Sequence, residues 1–101
     1  MDVIRTSKSW IDIQSIIDYF DSIGAQEVAN RFIDAVDATI EFIQQFPDLG
    51  APWESSKPPQ KGLRYRLVAG FENYLVVYRH DGRNICILRI LHGKRNLEGM
   101  L

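Results

Sequence analysis

At 101 residues, with 46% hydrophobic and 25% charged residues, the chain has globular proportions and the commonest size of a single domain, which excludes a disordered polypeptide. Its one cysteine, Cys86, excludes an internal disulfide and a multi-cysteine zinc site. The formal net charge of −1 conceals a division: residues 1–56 carry three basic side chains against ten acidic ones, and residues 57–101 carry nine against three, an asymmetry that suits a charged partner met on one face.

The first element is a short strand, DVIR at residues 2–5. Asp2, Arg5 and Lys8 precede Trp10 with no apolar run between them, so no signal peptide is read here. No stretch reaches the roughly 18 apolar residues of a membrane span, and a cytoplasmic location is expected. Ser7 or Ser9 is expected to cap a helix, with Ser9 and Asp12 spaced as in a capping box. Trp10, Ile13, Ile16, Ile17, Phe20 and Ile23 recur at helical spacing, and Gly24 supplies the stop. Val28, Ala29, Phe32, Val36, Thr39, Ile40, Ile43 and Phe46 form a second stripe that ends at Pro47, because proline disfavours helical geometry in the residue before it. The short connection predicts an antiparallel helix hairpin.

Residues 47–62, PDLGAPWESSKPPQKG, hold all four prolines and read as a loop, with Trp53 packing back on the body. LRYRLV at 63–68 alternates Leu63, Tyr65 and Leu67 against Arg64 and Arg66, the period of a half-buried strand. NYLVVYRH at 73–80 is β-branched and aromatic, Asp81-Gly82 marks a hairpin, and NICILRIL at 84–91 is apolar enough to be placed centrally, with both faces covered. The remaining NLEGML leaves room for one helical turn. The expected fold is α+β in the order (β)ααβββ: one domain over residues 1–101, an N-terminal antiparallel helix hairpin packed on a small twisted antiparallel sheet.

Few side chains form a reactive constellation. Asp12 with Asp18 and Asp34 with Asp37 read as solvated helix faces, and His80, His92 and Cys86 have no metal-ligand spacing. Cys86 reads as a small strand hydrophobe. Neither a cofactor nor a metal is expected. Arginine is what remains. Arg64 and Arg66 are one alternation apart and share a strand face. Arg89 interrupts an apolar strand and reads as a buried cation paired with a helix carboxylate. Gly93 releases the chain so that Lys94 and Arg95 stand at the sheet rim. These cations suit a phosphate, a carboxylate-rich helix or an acidic segment. Tyr65, Tyr74 and Tyr78 are at stacking-competent positions, but the element order is not that of an RNA-recognition fold, and core packing is the reading adopted.

YLVVYR, an Asp-Gly turn and ILRILHGKRNL together resemble the C-terminal signature of the ParE/RelE toxin superfamily, the toxins of bacterial type II toxin–antitoxin modules. Two N-terminal helices, FPDLG, a proline-rich loop, GLRYRLV and the His92-Gly93-Lys94-Arg95 end fall in family order, so the resemblance covers nearly the whole chain. It implies a small fold whose sheet is covered by a cognate, ParD-like antitoxin in a hetero-oligomer.

The ParE-like branch is the better match, particularly in ILRILHGKRNL. Its members poison DNA gyrase by binding and have no active site of their own, arresting growth and stabilising plasmids. In that reading Arg64, Arg66, Arg89, His92, Lys94 and Arg95 bind target or antitoxin, or hold the fold. The alternative is a RelE-like, ribosome-dependent mRNA endoribonuclease in which Arg64, Arg66 and Arg95 stabilise the phosphorane charge. Leu75 stands where that branch carries an arginine and Leu101 where it carries an aromatic, losses in a chemistry where acid–base help is worth about 10² to 10⁴ in rate. A non-toxic family member acting in a repressor complex is the third reading.

Overall fold

A computed structural model of the chain describes residues 1–53 and 62–93. Strand β1 (Asp2–Arg5) leads into helices α1 (Ser7–Ser22) and α2 (Gln26–Gln45), followed by β2 (Ala51–Pro52), β3 (Arg64–Val68), β4 (Phe71–His80) and β5 (Asn84–His92). The α+β order read from the sequence is the order found: two helices packed on one face of a twisted sheet. The sheet runs β1-β5-β4-β3-β2. It is mixed rather than wholly antiparallel, because β1 lies parallel to β5, Val3 beside Ile85 and Arg5 beside Ile87. Both helices and strands β2, β3 and β4 separate those two strands, which is ample chain for the crossover a parallel pair requires. Within the stretch read as loop, Ala51 and Pro52 add a two-residue strand against Tyr65 and Arg64.

The cap of α1 is Thr6, not Ser7 or Ser9. Its extended backbone (φ −68, ψ 158) lets Oγ1 accept from the Ser9 N–H at 3.1 Å, while the Ser9 hydroxyl donates to the Thr6 carbonyl at 2.7 Å. Thr6 Oγ1 also donates to the Leu88 carbonyl at 2.8 Å. The hairpin turns at Gly24, whose φ of +75 is the left-handed conformation glycine tolerates. Trp10 and Ile23 leave the expected stripe and are 52% and 59% exposed; the Arg5 guanidinium sits 4.4 Å from the Trp10 ring centroid. Phe46 is likewise exposed, one residue beyond the end of α2.

Alternation along β4 separates two apolar layers. Val76 and Tyr78 face the helices and join Phe32, Val36, Ile40, Ile43, Ile85, Ile87 and Ile90 in the main core. Leu75 and Val77 face the other way, with Leu63 and Leu91, and Trp53, Tyr65 and Leu88 pack against them. Trp53 thus anchors back on the body as expected, its ring perpendicular to Tyr65. Strand β5 is interior, flanked by β1 and β4, and the middle strand is β4. Where the four-residue β1 ends, α1 takes over the edge of β5: Asp12 accepts from the Ile90 N–H at 3.0 Å, beside the Thr6–Leu88 bond.

Candidate binding surface

After Pro47 stops α2, the chain doubles back across the ends of β3 and β4, and the side chains of those strands hold it there. The Tyr78 hydroxyl donates to the Pro47 carbonyl at 2.7 Å and accepts from the Gly50 N–H at 3.1 Å. Burial pushes the Tyr78 phenol above its ordinary value of 10.0, so the hydroxyl stays protonated and can donate. Gly50 is buried, and a Cβ at that position would collide with the Tyr78 hydroxyl. Arg64 Nη1 donates to the carbonyls of Asp48 at 3.1 Å and Gly50 at 2.9 Å, and Nη2 stands 4.0 Å from the Asp48 carboxylate. His80 Nε2 is 2.7 Å from Asp48 Oδ1. Residues 47–50 are therefore a braced platform, and the apolar side chain it holds out to solvent is Leu49, 60% exposed.

Arg64 and Arg66 do share a face, the one bearing the helices, but their surroundings differ. Arg64 is spent on the platform. Arg66 lies with its guanidinium 3.8 Å from the centroid of the Phe42 ring, half-buried, and among the described residues no carboxylate or carbonyl accepts from it. A cleft of about 450 Å³ lined by Leu49, Ala51, Tyr65, Arg66 and Leu67 opens on one side of it. A second, of about 290 Å³, runs between Phe42, Thr39 and Ala38 of α2 and Arg66, Leu67 and Val68 of β3, with Glu72 also in its lining. Leu67, 45% exposed, is the ridge between them.

The cations of β5 lie two strands away. Arg89 is paired as the sequence suggested a strand-interrupting arginine would be: Nε and Nη2 donate to the two oxygens of Asp12 at 2.8 and 2.9 Å. That hydrogen bonding raises the Arg89 pKa above the ordinary value of a guanidinium. His92 stands beside Tyr74 on β4, ring centroids 5.1 Å apart and nearly perpendicular, with Nδ1 buried and unpartnered. Lys94 and Arg95 lie outside the described residues. Among the described residues, Arg64 and Arg66 on β3 stand two strands away from Arg89 and His92 on β5.

Among the described residues this surface offers an arginine on an aromatic ring beside apolar walls, and its histidine is engaged within the chain. His80 has Nε2 committed to Asp48 and Nδ1 buried without a partner, so neither nitrogen is presented to a substrate. Among the described residues no cluster of His, Cys, Asp and Glu could hold a metal ion, and no helix is long and apolar enough to cross a membrane. Sequence reading passed over Phe42, Asp48, Gly50, Leu49 and Tyr78 as parts of the surface. The signal for Gly50 and Asp48 lay in FPDLG, a segment with the residues of a tight turn next to a helix end.

A family model described as the ParE toxin of the type II toxin–antitoxin system, parDE, matches residues 3–97. Among curated proteins no sequence matches the chain. Among solved structures, one described as a chromosomal ParDE toxin–antitoxin system from P. aeruginosa is similar at a TM-score of 0.70 and 24% identity, covering 93% of this chain and 97% of that one. A YoeB/ParE toxin from Agrobacterium tumefaciens is similar at 0.61 and 19% identity, covering 91% and 98%. At these identities the structural likeness shows the fold.

Proposed function

The chain belongs to the ParE toxin family of type II toxin–antitoxin systems, and from that premise we propose that it is a toxin acting by binding, which inhibits DNA gyrase in the cytoplasm, arrests growth, and is neutralised by a cognate antitoxin. The observation that carries binding over catalysis is the state of its polar groups. Arg64 is tied to the platform carbonyls, Arg89 to Asp12, and His80 to Asp48. A nuclease needs a proton donor or acceptor within reach of its substrate, and the braced groups hold their geometry instead. Arg66, His92, Lys94 and Arg95 are the contact residues in this reading. Arg64 and Arg89 keep the surface in shape.

Supercoiling of relaxed plasmid by purified gyrase and ATP tests the proposal, with and without the refolded, antitoxin-free protein. Loss of supercoiling, or accumulation of cleaved plasmid, is expected. Unchanged supercoiling by protein that circular dichroism shows to be folded overturns gyrase as the target, and mRNA cleavage on translating ribosomes is then the assay to run.

A further inference from the structure

We propose that the two clefts flanking Leu67 seat a segment of the antitoxin in which apolar side chains surround a single carboxylate, that carboxylate pairing with Arg66. The inference rests on the antitoxin reading given above and adds to it a place and a chemistry.

Arg66 is the starting point. Arg5, Arg64 and Arg89 each meet an acceptor in the chain, at Asp37, at the platform carbonyls and at Asp12. Arg66 is half-buried without one among the described residues, yet its guanidinium is positioned by the Phe42 ring. A guanidinium lying on an aromatic face keeps its N–H edge available for a planar anion, and orienting it in advance lowers the cost of binding.

The walls say what kind of anion. Leu49, Ala51, Tyr65 and Leu67 line one cleft, Ala38, Phe42 and Val68 the other, so a ligand must bring apolar groups to both sides of its charge. A protein segment does so. A nucleic-acid strand would bring a run of phosphates to clefts whose described lining holds one cation, Arg66, and in the second cleft Glu72 to repel them. The mixture of an arginine, an aromatic ring and exposed leucines is the composition of an interface centre rather than of ordinary protein surface. Addition of a strand at the β3 edge is the poorer fit. Ala51 and Pro52 already cover Tyr65 and Arg64, and the Ala69 N–H is taken by Thr39 Oγ1, so little free backbone remains and the side chains must do the recognising.

The test is calorimetric titration of the full chain with its cognate antitoxin. Arg66→Glu, Arg66→Gln and Leu67→Asp are compared with Ile11→Asp, a control at a 66% exposed position on α1. Circular dichroism and thermal melting confirm folding, and Arg66→Gln serves if the charge reversal does not fold. Arg66→Glu is expected to weaken binding about a hundredfold and Arg66→Gln about tenfold, with Ile11→Asp within about twofold of wild type. One Asp or Glu of the antitoxin, reversed to Lys, should restore binding to Arg66→Glu and no other variant. Wild-type affinity in Arg66→Glu, Arg66→Gln and Leu67→Asp overturns the site while leaving the antitoxin reading intact. A wild-type chain that does not bind the antitoxin overturns both. Unchanged antitoxin binding with loss of single-stranded RNA binding in Arg66→Glu overturns it in favour of nucleic acid.

Discussion

Asp12 of α1 and Arg89 of β5, 77 residues apart in the chain, are locked in a two-pronged pair at 2.8 and 2.9 Å, and one of the same carboxylate oxygens takes the Ile90 N–H. Both side chains are nearly out of solvent, Arg89 at 9% and Asp12 at 12% exposure. Removing one member leaves the other charge desolvated, a loss of about 3–5 kcal/mol, whereas replacing both by apolar groups of similar shape is often neutral. Asp12→Ala is therefore expected to lower the urea midpoint sharply, and Asp12→Asn with Arg89→Met, which keeps an acceptor for the Ile90 N–H, to recover most of it. A double variant as unstable as Asp12→Ala would show that the charges themselves are required.

Tyr78→Phe keeps the ring in the core and deletes one hydroxyl, leaving the Pro47 carbonyl and the Gly50 N–H without that partner. The expected cost is about 1–3 kcal/mol, read from equilibrium unfolding. Gly50→Ala should destabilise by a similar about 1–3 kcal/mol, through overpacking against the same hydroxyl. The two substitutions act at one contact, so their combination should cost less than their sum.

Asp81 opens the β4–β5 turn by accepting from the N–H groups of Asn84 and Arg83, at 2.8 and 2.9 Å, and these bonds hold its carboxyl below the ordinary 3.8. A carboxylate depressed in the folded state stabilises fully above its unfolded value, and that contribution is lost as pH falls through the folded one. Asp81→Ala should melt below wild type at pH 7, and the gap should narrow as the pH is lowered from about 4 downward. A gap that stays constant down to pH 2 would show that the turn does not depend on the ionised form.

Thr6 serves two elements at once, capping α1 through Ser9 and donating to the Leu88 carbonyl of β5. Thr6→Ala is expected to cost about 1–2 kcal/mol, and Thr6→Ser, which keeps the hydroxyl, considerably less. Equal losses in the two variants would assign the effect to the methyl group rather than to the bonds.

Features that depend on near neighbours were legible in the sequence. The apolar stripe of Val28, Phe32, Val36 and Ile43 marked α2, Gly24 and Pro47 bounded the hairpin, and Asp81-Gly82 set the β4–β5 turn. What depends on distant partners was harder to read. Thr6 is a cap partly because the Leu88 carbonyl, far off in the chain, accepts a hydrogen bond from its hydroxyl, and Trp10 leaves the core stripe to lie against Arg5. The pairing of Arg89 with some helix carboxylate could be inferred from its apolar strand; that the carboxylate is Asp12, which sequence spacing assigned to a capping box, could not. The arginines of β3 show the same divide. Alternation put Arg64 and Arg66 on one face, but only the fold distinguishes the one that braces Asp48 and Gly50 from the one resting on Phe42.

Because β1 stops short and α1 completes the border of β5 with side-chain oxygens, the Ile90 amide hydrogen is shielded by a helix rather than by a strand. Its deuterium exchange is thus a clock for a single event, the lifting of α1 from the sheet. Amides in the middle of β4 exchange only when the strands themselves part. If Ile90 exchanges faster than Val76 and Val77, the helix hairpin peels away while the meander stays folded. If the three exchange together, hairpin and sheet are one cooperative unit.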